Sequence, residues 1–184
     1  MEKVKTNTQR ICVIAAGIAL FVVFTLCLQV PVFENYYLCF GYVAMAIYCY
    51  SFGALSGTIV GVLGVVLYCI VISGLRGLPG WALGNAVIGI VLGITFKRTK
   101  TLKSKWLQAI INVGAILVSV TIGILVVKSI AENILYAQPF VIRAGKNFYA
   151  WAADIVVLMI SLPVCMMMDQ VARKMFPKLA VNKG

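Results

Sequence analysis

The chain has no histidine and five carboxylates among its 184 residues, so it offers no ligand set for a dedicated transition-metal site. The same poverty leaves a membrane enzyme without clustered carboxylates or a nucleophile paired with its base. No Gly-x-x-x-x-Gly-Lys-Ser/Thr loop occurs, and without that phosphate cradle the chain does not itself hydrolyse ATP. The six cysteines, Cys12, Cys27, Cys39, Cys49, Cys69 and Cys165, have no paired CxxC spacing and read as buried reduced thiols acting as small hydrophobes. With 11% charged and 62% hydrophobic residues, too little polar surface exists to coat a water-soluble globule, and lipid must be the solvent. The apolar runs are continuous and lack period-two alternation, which excludes a β-barrel.

What is abundant is positive charge, a net +11. A nucleic-acid binder gathers its cations into one stripe with interleaved aromatics. Here 12 of the 16 Lys and Arg flank long apolar runs in three clusters: Lys3, Lys5 and Arg10; Lys97, Arg98, Lys100, Lys103 and Lys105; and Arg173, Lys174, Lys178 and Lys183. Basic loops stay on the cytoplasmic side, so an even number of crossings separates each cluster from the next. At about 20 apolar residues per crossing, six spans are expected near 11–29, 37–52, 54–75, 80–97, 106–131 and 147–171. The run Ile11 to Leu28 is longer than a signal-peptide core of roughly 7 to 15 residues, and no small-x-small site follows it, so it is read as a span.

The expected architecture is therefore an all-α integral membrane protein, a six-transmembrane-helix bundle with both termini cytoplasmic. Residues 1–184 form a single membrane domain with short basic cytoplasmic tails at 1–10 and 172–184. Pro31 with Glu34-Asn35, then Gly77-Leu78-Pro79-Gly80, then Pro139 with Gly145 break the outer connections, and Ser51-Phe52-Gly53 makes a tight hairpin at the inner face. Small residues recur at four-residue spacing in Ala15/Ala19, Gly53/Gly57/Gly61, Gly80/Gly84 and Gly89/Gly93, which lets helix backbones approach closely. The glycine runs read as packing inside the bundle. Ala15 and Ala19 lie on a helix otherwise covered in Ile, Leu, Val and Phe, and mark a face for a partner helix.

Polar groups at membrane depth are costly and are either paired or functional. In this topology nearly all fall at the outer end. Glu34, Asn35, Tyr36, Tyr37 and Tyr42 crown span two, and Arg76 lies in the second outer connection. Trp81 and Asn85 share one face of span four. Lys128, Glu132 and Tyr136 end span five, while Arg143, Lys146, Asn147, Trp151 and Asp154 line the approach to span six and its first turns. Trp81, Tyr36 and Tyr37 also fit an interfacial aromatic belt, and Lys128 and Glu132 also fit an i, i+4 pair or snorkelling stems. Asp154 and Asn85 have no such plain reading: a carboxylate two turns into a span needs a cation or a ligand. The arrangement is a cup open to the outside, more a receptor than a channel. Its candidate substrate-binding residues are Glu34, Asn35, Tyr36, Tyr42, Arg76, Trp81, Asn85, Lys128, Tyr136, Arg143, Asn147, Trp151 and Asp154.

A one-sided cup on six short helices, with Ala15-x-x-x-Ala19 near the inner end of span one, resembles the substrate-binding S components of energy-coupling factor (ECF) vitamin transporters. The stretches Leu38 to Gly64 and Gly80 to Gly93 are similar to the riboflavin-type branch. That branch often carries Gly-Asp where Gly41 here precedes Tyr42, which leaves the substrate open among riboflavin, cobalamin, pyridoxine and thiamine-precursor classes, all suited to an aromatic pocket with polar edges. The resemblance implies capture of a vitamin under a lid between spans one and two, and docking through Ala15 and Ala19 onto a transmembrane coupling (T) subunit. Two cytoplasmic ATPases supply the energy, with no cofactor on this chain, and the localisation implied is the bacterial plasma membrane. The competing reading is a stand-alone ion-coupled secondary transporter in which Asp154 titrates. Such folds show inverted repeats with broken helices at the midplane, and no repeat relates residues 1–92 to 93–184.

Overall fold

A lipid-embedded backbone satisfies its hydrogen bonds within a segment by forming helices, and the computed structural model of residues 2–33, 36–73 and 78–181 is built mainly from them. Helix α1 (Glu2–Cys27) leads into an antiparallel hairpin of β1 (Gln29–Phe33) and β2 (Tyr36–Cys39), then α2 (Gly41–Phe52) and α3 (Ala54–Tyr68). α3 continues through a widened π turn, Cys69–Ser73. Then come α4 (Leu78–Thr99), a column of α5 (Lys105–Val120), a π segment (Thr121–Lys128) and α6 (Ser129–Tyr136), and finally α7 (Phe140–Met175).

The six expected spans are not alike. Among the described residues, five helical columns are long and apolar enough to cross a membrane. α2 has 12 residues, about 18 Å at 1.5 Å per residue, against a hydrocarbon core of about 30 Å. Nine of the 12 are buried, because α2 packs against α1, α3, α4 and α7 at once. Its all-round apolar surface is that of a core helix. The all-α expectation is amended too, since residues 37 to 39 of the expected second span are strand; β-branched and aromatic residues favour it, and the register pairs Val30 with Leu38 and Pro31 with Tyr37.

Other boundaries move for local reasons. Pro79 sits in the first turn of α4, where a missing N–H costs nothing, so the expected break becomes a helix start. Gly145 lies inside α7, and the turn before that helix is made by Ala137 in the left-handed conformation (φ 50°) and by Pro139. Gly53 does break the chain between α2 and α3, at a φ of 88° that suits glycine.

The glycine ridges pack inside the bundle. A Cβ on Gly84 would come within 2.8 Å of the Gly123 carbonyl oxygen, and one on Gly123 equally close to that of Gly84, so α4 and the π segment touch backbone to backbone. Gly61 similarly faces Met45, and Gly64 faces Phe21.

Lys100, expected as a solvated loop cation, is instead buried, at the end of the bundle where α4 turns into α5. Its ammonium donates to the Tyr50 carbonyl, lies 4.2 Å from the centre of the Tyr50 ring, and pairs with Asp169 Oδ1 at 2.7 Å. Arg173 Nε donates to the other oxygen of Asp169 at 2.8 Å. Removing one partner of a buried pair strands the other charge and costs about 3–5 kcal/mol, whereas replacing both with apolar residues is close to neutral. Asp169→Ala is therefore expected to destabilise the protein by about that amount, and Lys100→Met/Asp169→Leu to recover most of it, as read by thermal unfolding in detergent.

Candidate functional site

The N-terminal end of α2 carries the centre of the candidate site. Tyr42, fully buried, donates its hydroxyl to Asn85 Oδ1 at 2.7 Å and accepts from Trp81 Nε1 at 3.0 Å. Asn85 spends an amide hydrogen on the Gly61 carbonyl at 3.0 Å, which ties α3 to α4. The Asp154 carboxylate is buried on α7, near Tyr42 and Lys128. The sequence spacing of Trp81 and Asn85 places both on the face of α4 that meets α2. Trp81 thus turns inward, edge-on to Tyr68 at 5.7 Å, and is no belt residue.

A second cluster forms where α6 meets the start of α7. Asn147 donates to Ser129 Oγ at 3.0 Å and to Glu132 Oε2 at 3.1 Å. Arg143 lies 3.8 Å from the same carboxylate and 5.0 Å from the Tyr136 ring centre, with its Nε buried and unpartnered. Glu132 is therefore committed to α7 and does not form the expected ion pair with Lys128; the two stems instead flank Gly80, whose absent side chain lets α4 approach. Trp151 donates to Thr121 Oγ1 at 2.9 Å and stacks on Phe148 at 5.1 Å. The π segment spans Thr121 to Lys128, and such wide turns redirect side chains at functional sites.

Of the expected site residues, Tyr42, Trp81 and Asn85 come together around one hydroxyl with Asp154 near it, and Glu132, Tyr136, Arg143 and Asn147 around one carboxylate. Lys128 lies between α4 and Asp154. Lys146 is exposed on α7. Glu34, Asn35 and Arg76 fall outside the described residues, as do the side chains of Tyr36 and Tyr37. Ala15 and Ala19 are exposed on α1, while Gly17 between them is buried against Tyr48. The expectation of six buried thiols is corrected as well: four are buried, whereas Cys12 and Cys27 are exposed on α1. Sequence reasoning missed Ser129 and Thr121, small hydroxyls whose roles come from partners 18 and 30 residues away. It also missed Asp169, although Asp169 and Arg173 stand at an i, i+4 spacing that is a visible pairing signal.

Residues 5–169 match the family model of the ECF-type riboflavin transporter, S component. The chain belongs to that family. It is accordingly a transport subunit of the membrane and not an enzyme. It is similar to a UPF0397 protein of Streptococcus thermophilus, 27% identical over 168 residues that cover 85% of this chain and 87% of the relative. Its fold is shared with the crystal structure of the S component for biotin from an ECF-type ABC transporter. The TM-score is 0.56 at 16% identity, covering 94% of this chain and 93% of the other.

The Tyr42 hydroxyl ties α2 to α4 of the S component through both Trp81 and Asn85. Tyr42→Phe leaves Trp81 Nε1 and Asn85 Oδ1 buried without partners, at about 1–3 kcal/mol for each group stranded. A clear drop in the unfolding midpoint in detergent, with a change in tryptophan fluorescence, is the expected outcome.

Proposed function

We propose that the chain is the high-affinity substrate-binding subunit of an ECF-type ABC importer in a bacterial plasma membrane. Its cargo is a water-soluble vitamin or precursor of the riboflavin, cobalamin, pyridoxine or thiamine-precursor class. The observation that carries this reading is the match to the S-component family together with two adjoining clusters of buried hydrogen-bonding and aromatic groups, one around Tyr42 and one around Glu132, at the end of the bundle away from the Lys100–Asp169 pair. Such a site takes a ligand from one face only, and with aromatic rings beside both acceptors and donors it suits a heteroaromatic molecule with polar edges.

Both termini lie on the cytoplasmic side in this reading, by the sign of their charge, and residues 1–184 act as one membrane domain. The sixth crossing is completed by β2 and α2 in series, whose combined rise of about 30 Å matches the hydrocarbon core. Strand backbone at membrane depth is tolerated where protein covers it, and β2 packs against α7. The segment between α1 and β2 serves as the lid, and the exposed face of Ala15 and Ala19 docks on the T subunit. Two ATPases bound to that subunit consume the ATP, and this chain needs no cofactor of its own.

Proteoliposomes test the division of labour. The chain alone is expected to bind without accumulating substrate; with the T subunit, the ATPases and ATP, uptake appears and a protonophore leaves it intact. Ala15→Leu and Ala19→Leu are expected to keep binding and lose the complex. Uptake by this chain alone, abolished by a protonophore, would establish the ion-coupled carrier instead.

A further inference from the structure

The end of the bundle where α4 turns into α5 holds a groove that substrate capture does not use. It has a volume of about 650 Å³ and runs between the α2–α3 break and the last turns of α4, with Val181 of the C-terminal segment on its rim. Phe52, Gly53, Ala54, Gly93 and Ile94 make its apolar wall, and Lys97, Arg98 and Thr101 its polar mouth. The wall is smooth because Gly93 and Ala54 are in backbone contact, and Gly53, at φ 88°, leaves the chain bare at the turn. Val181 is held in place by its backbone N–H, which donates to the Ser51 carbonyl at 2.9 Å.

Two features specify an occupant. The apolar wall opens on the side of α4 where Ile90 and Ile94 are 48% and 44% exposed, the surface that faces lipid. The mouth is cationic and uncompensated: among the described residues neither Lys97 nor Arg98 has an ion-pair partner, and Asp169 at this end is committed to Lys100 and Arg173. Basic pockets between membrane helices with an apolar flank take anionic lipid headgroups.

We propose that this groove is a binding site for an anionic phospholipid, its phosphate on Lys97 and Arg98 and its first methylenes along Ile94, Ala54 and Gly93. A lipid seated there clamps the C-terminal segment and α4 to the α2–α3 break, which ties the basic end of the bundle to the membrane surface.

The test uses the full chain, purified and delipidated in a neutral detergent, with thermal unfolding followed as phosphatidylglycerol, phosphatidylcholine or inorganic phosphate is added. A saturable rise in the midpoint is expected with phosphatidylglycerol alone. The half-saturating concentration should rise roughly tenfold or more in Lys97→Ala/Arg98→Ala and stay unchanged in Lys103→Ala/Lys105→Ala, which removes equal charge outside the groove. Native mass spectrometry, counting phosphatidylglycerol retained by wild type and by the single variants Lys97→Gln and Arg98→Gln, gives a second reading if the double variant does not fold. Equal loss in both double variants means diffuse attraction and overturns the site. A rise with inorganic phosphate reduces it to an anion site, and no rise with phosphatidylglycerol leaves the groove to a protein partner; either result overturns the proposal.

Discussion

Everything in this structure is arranged around a helix that is too short to cross a membrane and too apolar to lie on one. α2 is covered by α1, α3, α4 and α7, and at several contacts the neighbour presents a glycine. Gly57 sits against the Cys49 backbone, Gly61 against Met45, and Gly17 against Tyr48. Without a hydrophobic drive between helices in lipid, such close approach supplies the packing that holds a bundle together. The two ends of α2 then set the two polar centres. Tyr42 at one end organises Trp81 and Asn85 beside Asp154, and Tyr50 at the other receives Lys100 and Gln108, the latter donating to its hydroxyl at 3.1 Å.

The two centres differ in kind. At the basic end Asp169 pairs with both Lys100 and Arg173, leaving one net positive charge, and fixes the helix ends to each other. At the other end the bonds are mostly between neutral groups, and the charges there, Asp154, Glu132, Lys128 and Arg143, are divided between two clusters. In the proposed site a ligand would exchange bonds already made by Tyr42, Asn85 and Asn147 for bonds of its own, so affinity would depend on how well its edges reproduce them. This is how a polar site embedded in lipid discriminates: an analogue lacking one edge leaves a buried group unpaired.

Much of this was legible beforehand. Continuous apolar runs marked the helices, the i, i+4 spacing of Trp81 and Asn85 put them on one face, and the depth of Asp154 marked it as needing a partner. What stayed hidden depended on tertiary neighbours. The length of the second apolar run did not distinguish a spanning helix from a strand followed by a core helix. Lys100 stands among loop cations, and nothing local distinguishes it from Lys97 or Lys103 until Asp169 is brought to it from 69 residues away. Lys128 and Glu132 illustrate the converse, a favourable local spacing overridden because Asn147 and Arg143 offer Glu132 a partner across the helix interface.

The central claim is that the cluster around Tyr42 and Asp154 forms the floor of a site for a vitamin-like ligand. The most direct measurement is calorimetric titration of the purified chain, without ATP, ions or partners, across riboflavin, cobalamin, pyridoxine and thiamine precursors, for wild type and Asp154→Asn. Saturable binding of one of them at unit stoichiometry, weakened about tenfold or more when the carboxylate charge is removed, is the predicted result. Equal affinity in the folded Asp154→Asn variant would place the ligand elsewhere and contradict the account.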